Sequence, residues 1–146
     1  MRVLGLDDAQ AFADLDQDMF GSGAWPLPVI AEQLTSERVL ALGIDGEGGL
    51  DAGAMIGFGP DAEILTVSVR PHRRREGIAT AMLGYLMAEA GRRGAERCYL
   101  EVREKSGGAR ALYRSLGFND VGVRPRYYGD DNGIIMVYEY DKEHGS

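Results

Sequence analysis

The segment 63–103 constrains the fold most. Ile64, Leu65, Val67 and Val69 make a strand-like run over residues 63–69, and Pro71 ends it. Gly77 then opens a helical pattern that continues to about Arg93, with Ala79, Met82, Leu83, Leu86 and Met87 on one face. Residues 98–103 read as a strand again. Strand, helix and strand in that order form a crossover, which places the two strands parallel in one sheet.

The remaining elements follow one another closely and favour antiparallel pairing. Residues 1–6 are a short apolar strand, and Asp7 or Asp8 is placed to cap the helix that follows. Phe12, Leu15 and Met19 give that helix, residues 8–19, its apolar stripe. Gly21, Ser22 and Gly23 break it, Trp25-Pro26-Leu27-Pro28 makes a rigid turn, and residues 29–34 suit a short second helix. Residues 39–44 and 52–58 form a hairpin across Asp45, Gly46, Gly48 and Gly49. After the crossover come a helix at 109–116 closed by Gly117 and two strands, 121–126 and 134–140. The expected architecture is α/β of the α+β type: a mixed, mostly antiparallel sheet of about six or seven strands flanked by about four helices.

With 146 residues, 45% of them hydrophobic and 27% charged, residues 1–146 are expected to form one domain with a core of useful size. No apolar run approaches the roughly 20 residues of a membrane helix. The first ten residues carry one Arg and two Asp, unlike a secretory signal. The single cysteine, Cys98, excludes an intramolecular disulfide, and neither it nor the two histidines cluster as metal ligands, so no metal is expected. Cys98 suits a strand interior, and a reducing cytoplasm is the simplest setting.

A net charge of −7 argues against gripping nucleic acid and leaves room for a basic partner. The charge is uneven. Asp7, Asp8, Asp14, Asp16 and Asp18 lie early and Asp130, Asp131, Asp141 and Glu143 late, while Arg70, Arg73, Arg74 and Arg75 crowd one loop. A basic loop in an acidic protein is either a solvated turn or an anion site. Its position between a strand and a helix leaves both readings open. A helix N-terminus exposes free backbone amides and a positive dipole, and Gly77 lets a ligand approach the backbone. The loop lacks the Gly-Lys-Ser/Thr ending of a nucleotide-triphosphate loop and two glycines of a dinucleotide fingerprint.

Taken together, these residues resemble a known family. Val69-x-Pro71 followed by Arg74-Arg75-Glu76-Gly77-Ile78-Ala79 resembles the acetyl-CoA motif of the GNAT acyltransferases, Arg/Gln-x-x-Gly-x-Gly/Ala. Leu100-Glu101-Val102-Arg103, the run Ala111-Leu112-Tyr113-Arg114-Ser115-Leu116-Gly117-Phe118, Arg126-Tyr127-Tyr128 and Ile134-Ile135-Met136 follow in order. This series, over about residues 62–137, looks like the RimI-type branch, the ribosomal-protein-alanine N-acetyltransferases. Trp25-Pro26 also stands where that branch tends to carry an aromatic-proline pair. Two positions depart from its pattern: Ser106 replaces the usual Asn, and Asp131-Asn132-Gly133 replaces Glu-Asp-Ala before the last strand.

The resemblance implies a GNAT fold, acetyl-CoA as co-substrate and an amine acceptor. Backbone amides from Arg75 through Glu76, Gly77, Ile78, Ala79 and Thr80 would cradle the pyrophosphate, with Arg74 and Arg75 adding charge. Val67, Ser68 and Val69 would pair with the pantetheine arm, one of their amides serving as oxyanion donor. Ser106 would also touch that arm. Glu101 matches the branch's general base; otherwise it is a strand carboxylate paired with Arg103 or Arg97 on a solvated face. Tyr113 matches the general acid, and a phenol near pKa 10 holds its proton at pH 7; its helical spacing with Ala109, Leu112 and Leu116 also suits packing. Glu63 is a rival base. Tyr127 and Tyr128 suit an acceptor groove or packing, His72 a phosphate contact or solvent, and Trp25 a hydrophobic staple or the acceptor entrance.

The implied activity is acetyl transfer to an N-terminal alanine α-amine of a small-subunit ribosomal protein, by direct attack in a ternary complex, with a basic peptide as partner. The alternatives are a small-molecule amine or protein-lysine acetyltransferase on the same scaffold, and a non-catalytic acetyl-CoA-binding regulatory module.

Overall fold

A computed structural model describes residues 1–127 and 129–141. Tyr128 and Glu143, singled out above, lie outside the described residues. The strands are β1 (Arg2–Val3), β2 (Val39–Gly46), β3 (Gly49–Gly57), β4 (Asp61–Val69), β5 (Arg97–Arg103), β6 (Asn119–Arg124) and β7 (Gly133–Glu139). The helices are α1 (Ala9–Phe20), α2 (Leu27–Thr35), α3 (Ile78–Arg92) and α4 (Gly107–Ser115).

The strands form one sheet in the order β1-β2-β3-β4-β5-β7-β6. Every pair is antiparallel except β4 and β5, which the α3 crossover makes parallel as the sequence predicts. Helices cover both faces. On one, Phe12, Leu15 and Ile30 from α1 and α2 pack against Ala41, Leu50 and Met55. On the other, Met82, Leu83 and Leu86 of α3 pack with Leu100, Val102, Phe118 and Met136. Residues 50–56 of β3 are buried without a break, as expected of a strand covered on both sides.

Local details differ from expectation for identifiable reasons. The first strand is only two residues long, because the chain turns into a 3-10 turn at Leu6–Asp8. The Asp8 carboxylate does not cap α1: it accepts from Gly5 N at 2.9 Å and pairs with Arg2 at 2.7 Å. Helix α2 starts at Leu27 and takes in Pro28, because a first-turn proline lacks only an N–H that would have no helical partner.

Candidate active site

β4 and β5 are paired only over Asp61, Ala62 and Glu63 against Arg97, Cys98 and Tyr99. Beyond that point the ladder stops and the two strands part. On its other side β4 stays paired with β3, but the register steps from Ile56↔Ile64 to Met55↔Thr66, which leaves Leu65 as a β-bulge. A bulge bends its strand and increases the local twist, which helps carry β4 away from β5. The backbone groups of residues 64–69 on that edge therefore lack a neighbouring strand.

Two cavities open at this gap and share Met19, Phe20, Val67, Ser106, Ala109 and Tyr113. They are two ends of one trench. The first, about 870 Å³, is walled by Val67, Ser68, Val69, Arg73, Arg74, Arg75, Gly77, Ile78, Ala79 and Thr80. The second, about 450 Å³, lies among Asp16, Gly23 and Trp25, residues 64–67 of β4 and residues 100–103 of β5.

The larger end is built to meet an anion. Gly77 sits at the N-cap of α3 with φ 77°, a left-handed conformation that glycine adopts without penalty. No side chain caps the helix and no acidic residue occupies its first turn, so its leading amides and positive dipole face the cavity. The Glu76 side chain does not join them. Its carboxylate turns to Arg73 Nε at 3.1 Å, and it lines neither cavity. Arg73 is held again by the buried Asp51 at 2.8 Å, which anchors the loop to β3 and pulls the Asp51 carboxyl below the usual carboxylate range. Arg74 and Arg75 remain exposed beside Gly77. Arg75 itself has φ 69°, a strained value for a residue with a Cβ.

The smaller end holds Glu101, Tyr113 and Asp16. Cys98, Leu100 and Val102 of β5 turn into the α3 side of the sheet, so Glu101, between them, turns to the α1 side. Arg124 Nε of β6 stands 3.0 Å from Glu101 Oε1. Arg97, one candidate partner, is instead among Asp61, Glu96 and Glu139. Gly133 makes room beside this carboxylate: a Cβ there would come within 3.2 Å of Glu101 Cδ. Tyr113 rises from α4 on the opposite side of the sheet, its ring edge-on to Phe118 at 6.2 Å. The trench between β4 and β5 is where the two residues meet.

Ser106 lies at the N-cap position of α4 and lines both cavities. The Asp131-Asn132 loop, expected near the acceptor, lines neither. It braces the Ser106 loop instead: Asp131 accepts from Lys105 N at 3.0 Å, and Asn132 O from Glu104 N at 2.9 Å. Glu63 is exposed at the paired end of β4 and lines neither cavity. Tyr127 is 53% exposed and lies outside both, its ring beneath Arg124 at 5.3 Å. His72 points outward, 3.5 Å from Asp51. Cys98 is a core residue whose thiol burial pushes up to about 12. Trp25 packs against the α1–α2 core and also lines the smaller cavity. Met19 of the predicted apolar stripe reaches the wall, and Asp16 and Phe20 are wall residues that helical periodicity alone does not single out. Among the described residues no group of three His, Cys, Asp or Glu is placed to hold a metal, and no helix is long and apolar enough to cross a membrane.

Residues 12–118, which include the splayed strand pair and the uncapped N-terminus of α3, match a family of acyl-group-transfer proteins. It is the Acetyltransferase (GNAT) family, to which the chain belongs. The chain is 38% identical over 81 residues to the [Ribosomal protein bS18]-alanine N-acetyltransferase of Escherichia coli strain K12, a match covering 53% of this chain and 55% of that enzyme. The chain thus spans about half the length of this curated relative. It is 38% identical over 127 residues to N-alpha-acetyltransferase RimI of Mycobacterium tuberculosis, covering 83% and 78% of the two chains. The crystal structure of the Escherichia coli ribosomal-protein-S18-alanine N-acetyltransferase superposes with a TM-score of 0.83 at 30% identity, covering 94% of this chain and 91% of that one.

Proposed function

We propose that residues 1–146 act as one cytoplasmic acetyltransferase domain that moves the acetyl group of acetyl-CoA to the N-terminal α-amine of a protein. The favoured acceptor is a basic peptide that begins with alanine, as on a small-subunit ribosomal protein. Neither nucleic acid nor a membrane is a partner. The observation that carries the reading is that Val67 and Tyr113 stand on the wall of both cavities, so the two cavities share a boundary at which two bound substrates would meet.

The residues fit the co-substrate. The amides of Ile78, Ala79 and Thr80 with Arg74 and Arg75 hold a pyrophosphate at the helix N-terminus. Val67, Ser68 and Val69 offer a backbone edge along which an amide-bearing arm is held like an added strand, and Ser106 contributes a hydroxyl. When bound there, acetyl-CoA supplies an activated thioester. Glu101, directly or through a water, takes the proton from the acceptor ammonium so that nitrogen has a free pair to attack. A backbone amide of residues 67–69 stabilises the carbonyl oxygen as it gains charge. Tyr113 gives its proton to the sulfur as the carbon–sulfur bond breaks, and the second proton that the acceptor nitrogen sheds on becoming an amide returns to the Tyr113 oxygen, directly or through a water, while Glu101 releases the first to solvent. The names of the Escherichia coli and Mycobacterium tuberculosis relatives support the α-amine acceptor.

The test is thiol release from acetyl-CoA with a panel of short peptides and small amines, read out by product mass. Acetylation of the α-amine of an Ala-starting, Arg-containing peptide is the expected result. Turnover of small amines alone moves the acceptor class. Acetyl-CoA binding with no turnover identifies a regulatory module.

A further inference from the structure

Among the described residues, Asp16 is the one acidic side chain lining the trench with no cation within ion-pair distance. It sits in the middle of α1 at 3% exposure, next to Leu15 and one turn from Phe12, both buried. Among the described residues its carboxylate meets one donor, Trp25 N, at 2.8 Å to Oδ2, and no arginine, lysine or histidine lies within ion-pair distance. Glu101, across the same cavity, has Arg124. Buried carboxylates are ordinarily paired or fully hydrogen-bonded, because leaving water without compensation is costly. An ionised carboxylate can accept about four hydrogen bonds, and this one uses a single acceptor position while lining an open cavity.

We propose that Asp16 is an acceptor-binding carboxylate, whose free oxygen receives the terminal ammonium of the incoming substrate. The inference rests on the acetyltransferase reading and names how that site selects its acceptor. One oxygen holds the Trp25 amide and with it the α1–α2 loop, which supplies Gly23 and Trp25 to the cavity wall. The other supplies the negative charge that a cationic amine needs on entering a cavity with an apolar rim of Met19, Phe20 and Trp25. Burial raises the Asp16 carboxyl above its ordinary range, which a bound cation would offset.

Asp16→Asn isolates the charge, because the amide oxygen of Asn still accepts from Trp25 N. Peptide binding is measured by calorimetry on the CoA complex, with an Ala-starting, Arg-containing peptide as probe and its N-acetylated form as control, beside steady-state kinetics. The expected result is a loss of about tenfold or more in affinity for the free peptide, the scale of one charge-assisted hydrogen bond. The acetylated peptide binds both proteins alike, the KM for acetyl-CoA is unchanged, and the melting temperature does not fall. Unchanged affinity for the free peptide overturns the proposal. So does a fall in melting temperature with both substrates affected, which would mark Asp16 as structural. Peptide binding that depends on Asp16, with no turnover, keeps this inference and sinks the catalytic reading. Turnover with a KM indifferent to Asp16→Asn does the reverse.

Discussion

Arg124 on the outermost strand β6 reaches over β7 to place its Nε 3.0 Å from Glu101 Oε1 on β5. The pair fixes which way the carboxylate points and covers one of its two oxygens. Glu101 is 20% exposed at the side chain, so water and a substrate amine still reach it. Removing the carboxylate with Glu101→Gln lowers kcat by about 10²- to 10⁴-fold, the range of a lost general base. Acetyl-CoA affinity stays close to that of the wild type. Arg124→Gln costs less than Glu101→Gln, and Arg124→Lys retains more activity than Arg124→Gln. Steady-state kinetics on the three variants checks the order.

Tyr113 separates chemistry from binding in a second way. Its ring packs edge-on to Phe118, a contact that phenylalanine keeps. Tyr113→Phe therefore folds normally and binds acetyl-CoA with an affinity within about threefold of wild type, while kcat falls about 10²-fold or more. Equal losses in affinity and turnover would remove it from the role of acid.

The arginine-rich loop ahead of α3 was legible in the sequence because its parts are contiguous: a strand, a proline, a run of arginines, a glycine and an amphipathic helix. The parallel crossover was legible for the same reason. The Glu101–Arg124 pair was not, because it depends on β7 lying between β5 and β6, a register that no local pattern specifies. Asp16 reads locally as one polar position among Asp14, Asp16 and Asp18; only the packing of the α1–α2 loop shows that it faces inward. At Glu76 the expectation concerns the backbone amide, and what was not legible is the direction of the side chain. Its neighbours in the motif line the cavity, yet its side chain is claimed by Arg73 three residues earlier. The Asp131 loop misled in the opposite sense, since what it holds is backbone.

Two backbone conformations in the loop make a paired prediction. At Gly77 an added Cβ meets no atom within 4 Å, so Gly77→Ala suffers only from the left-handed backbone. That costs about 1–2 kcal/mol and tilts the helix N-terminus, raising the KM for acetyl-CoA. At Arg75 the strain is already present, so Arg75→Gly leaves stability within about 1 kcal/mol of wild type, relief of strain offsetting the entropy of glycine. Its acetyl-CoA affinity falls through the lost charge. Chemical denaturation and cofactor titration on both variants test the split.

Asp51 ties the loop to β3, and its carboxyl is lowered chiefly by the hydrogen bond from Arg73. A lowered folded value contributes stability that is present above the unfolded value of about 3.9 and is lost as pH falls through the folded one. Asp51→Asn is therefore less stable than wild type at pH 7, and the gap closes as the pH drops below about 4. Urea melts at a series of pH values measure it. A gap that widens on acidification would contradict the assignment.

The central claim is that the two cavities are a single two-substrate site joined at Val67 and Tyr113. The most direct measurement is the affinity of a conjugate in which the sulfur of CoA is linked through an acetyl group to the α-nitrogen of an Ala-starting, Arg-containing peptide. A continuous trench makes the second binding event intramolecular, so the conjugate binds about 10²-fold or more tighter than CoA alone. Asp16→Asn leaves that gain in place, because the conjugated nitrogen is an uncharged amide and makes no demand on the Asp16 carboxylate. A conjugate that binds no more tightly than CoA would show that the two ends of the trench do not form one site.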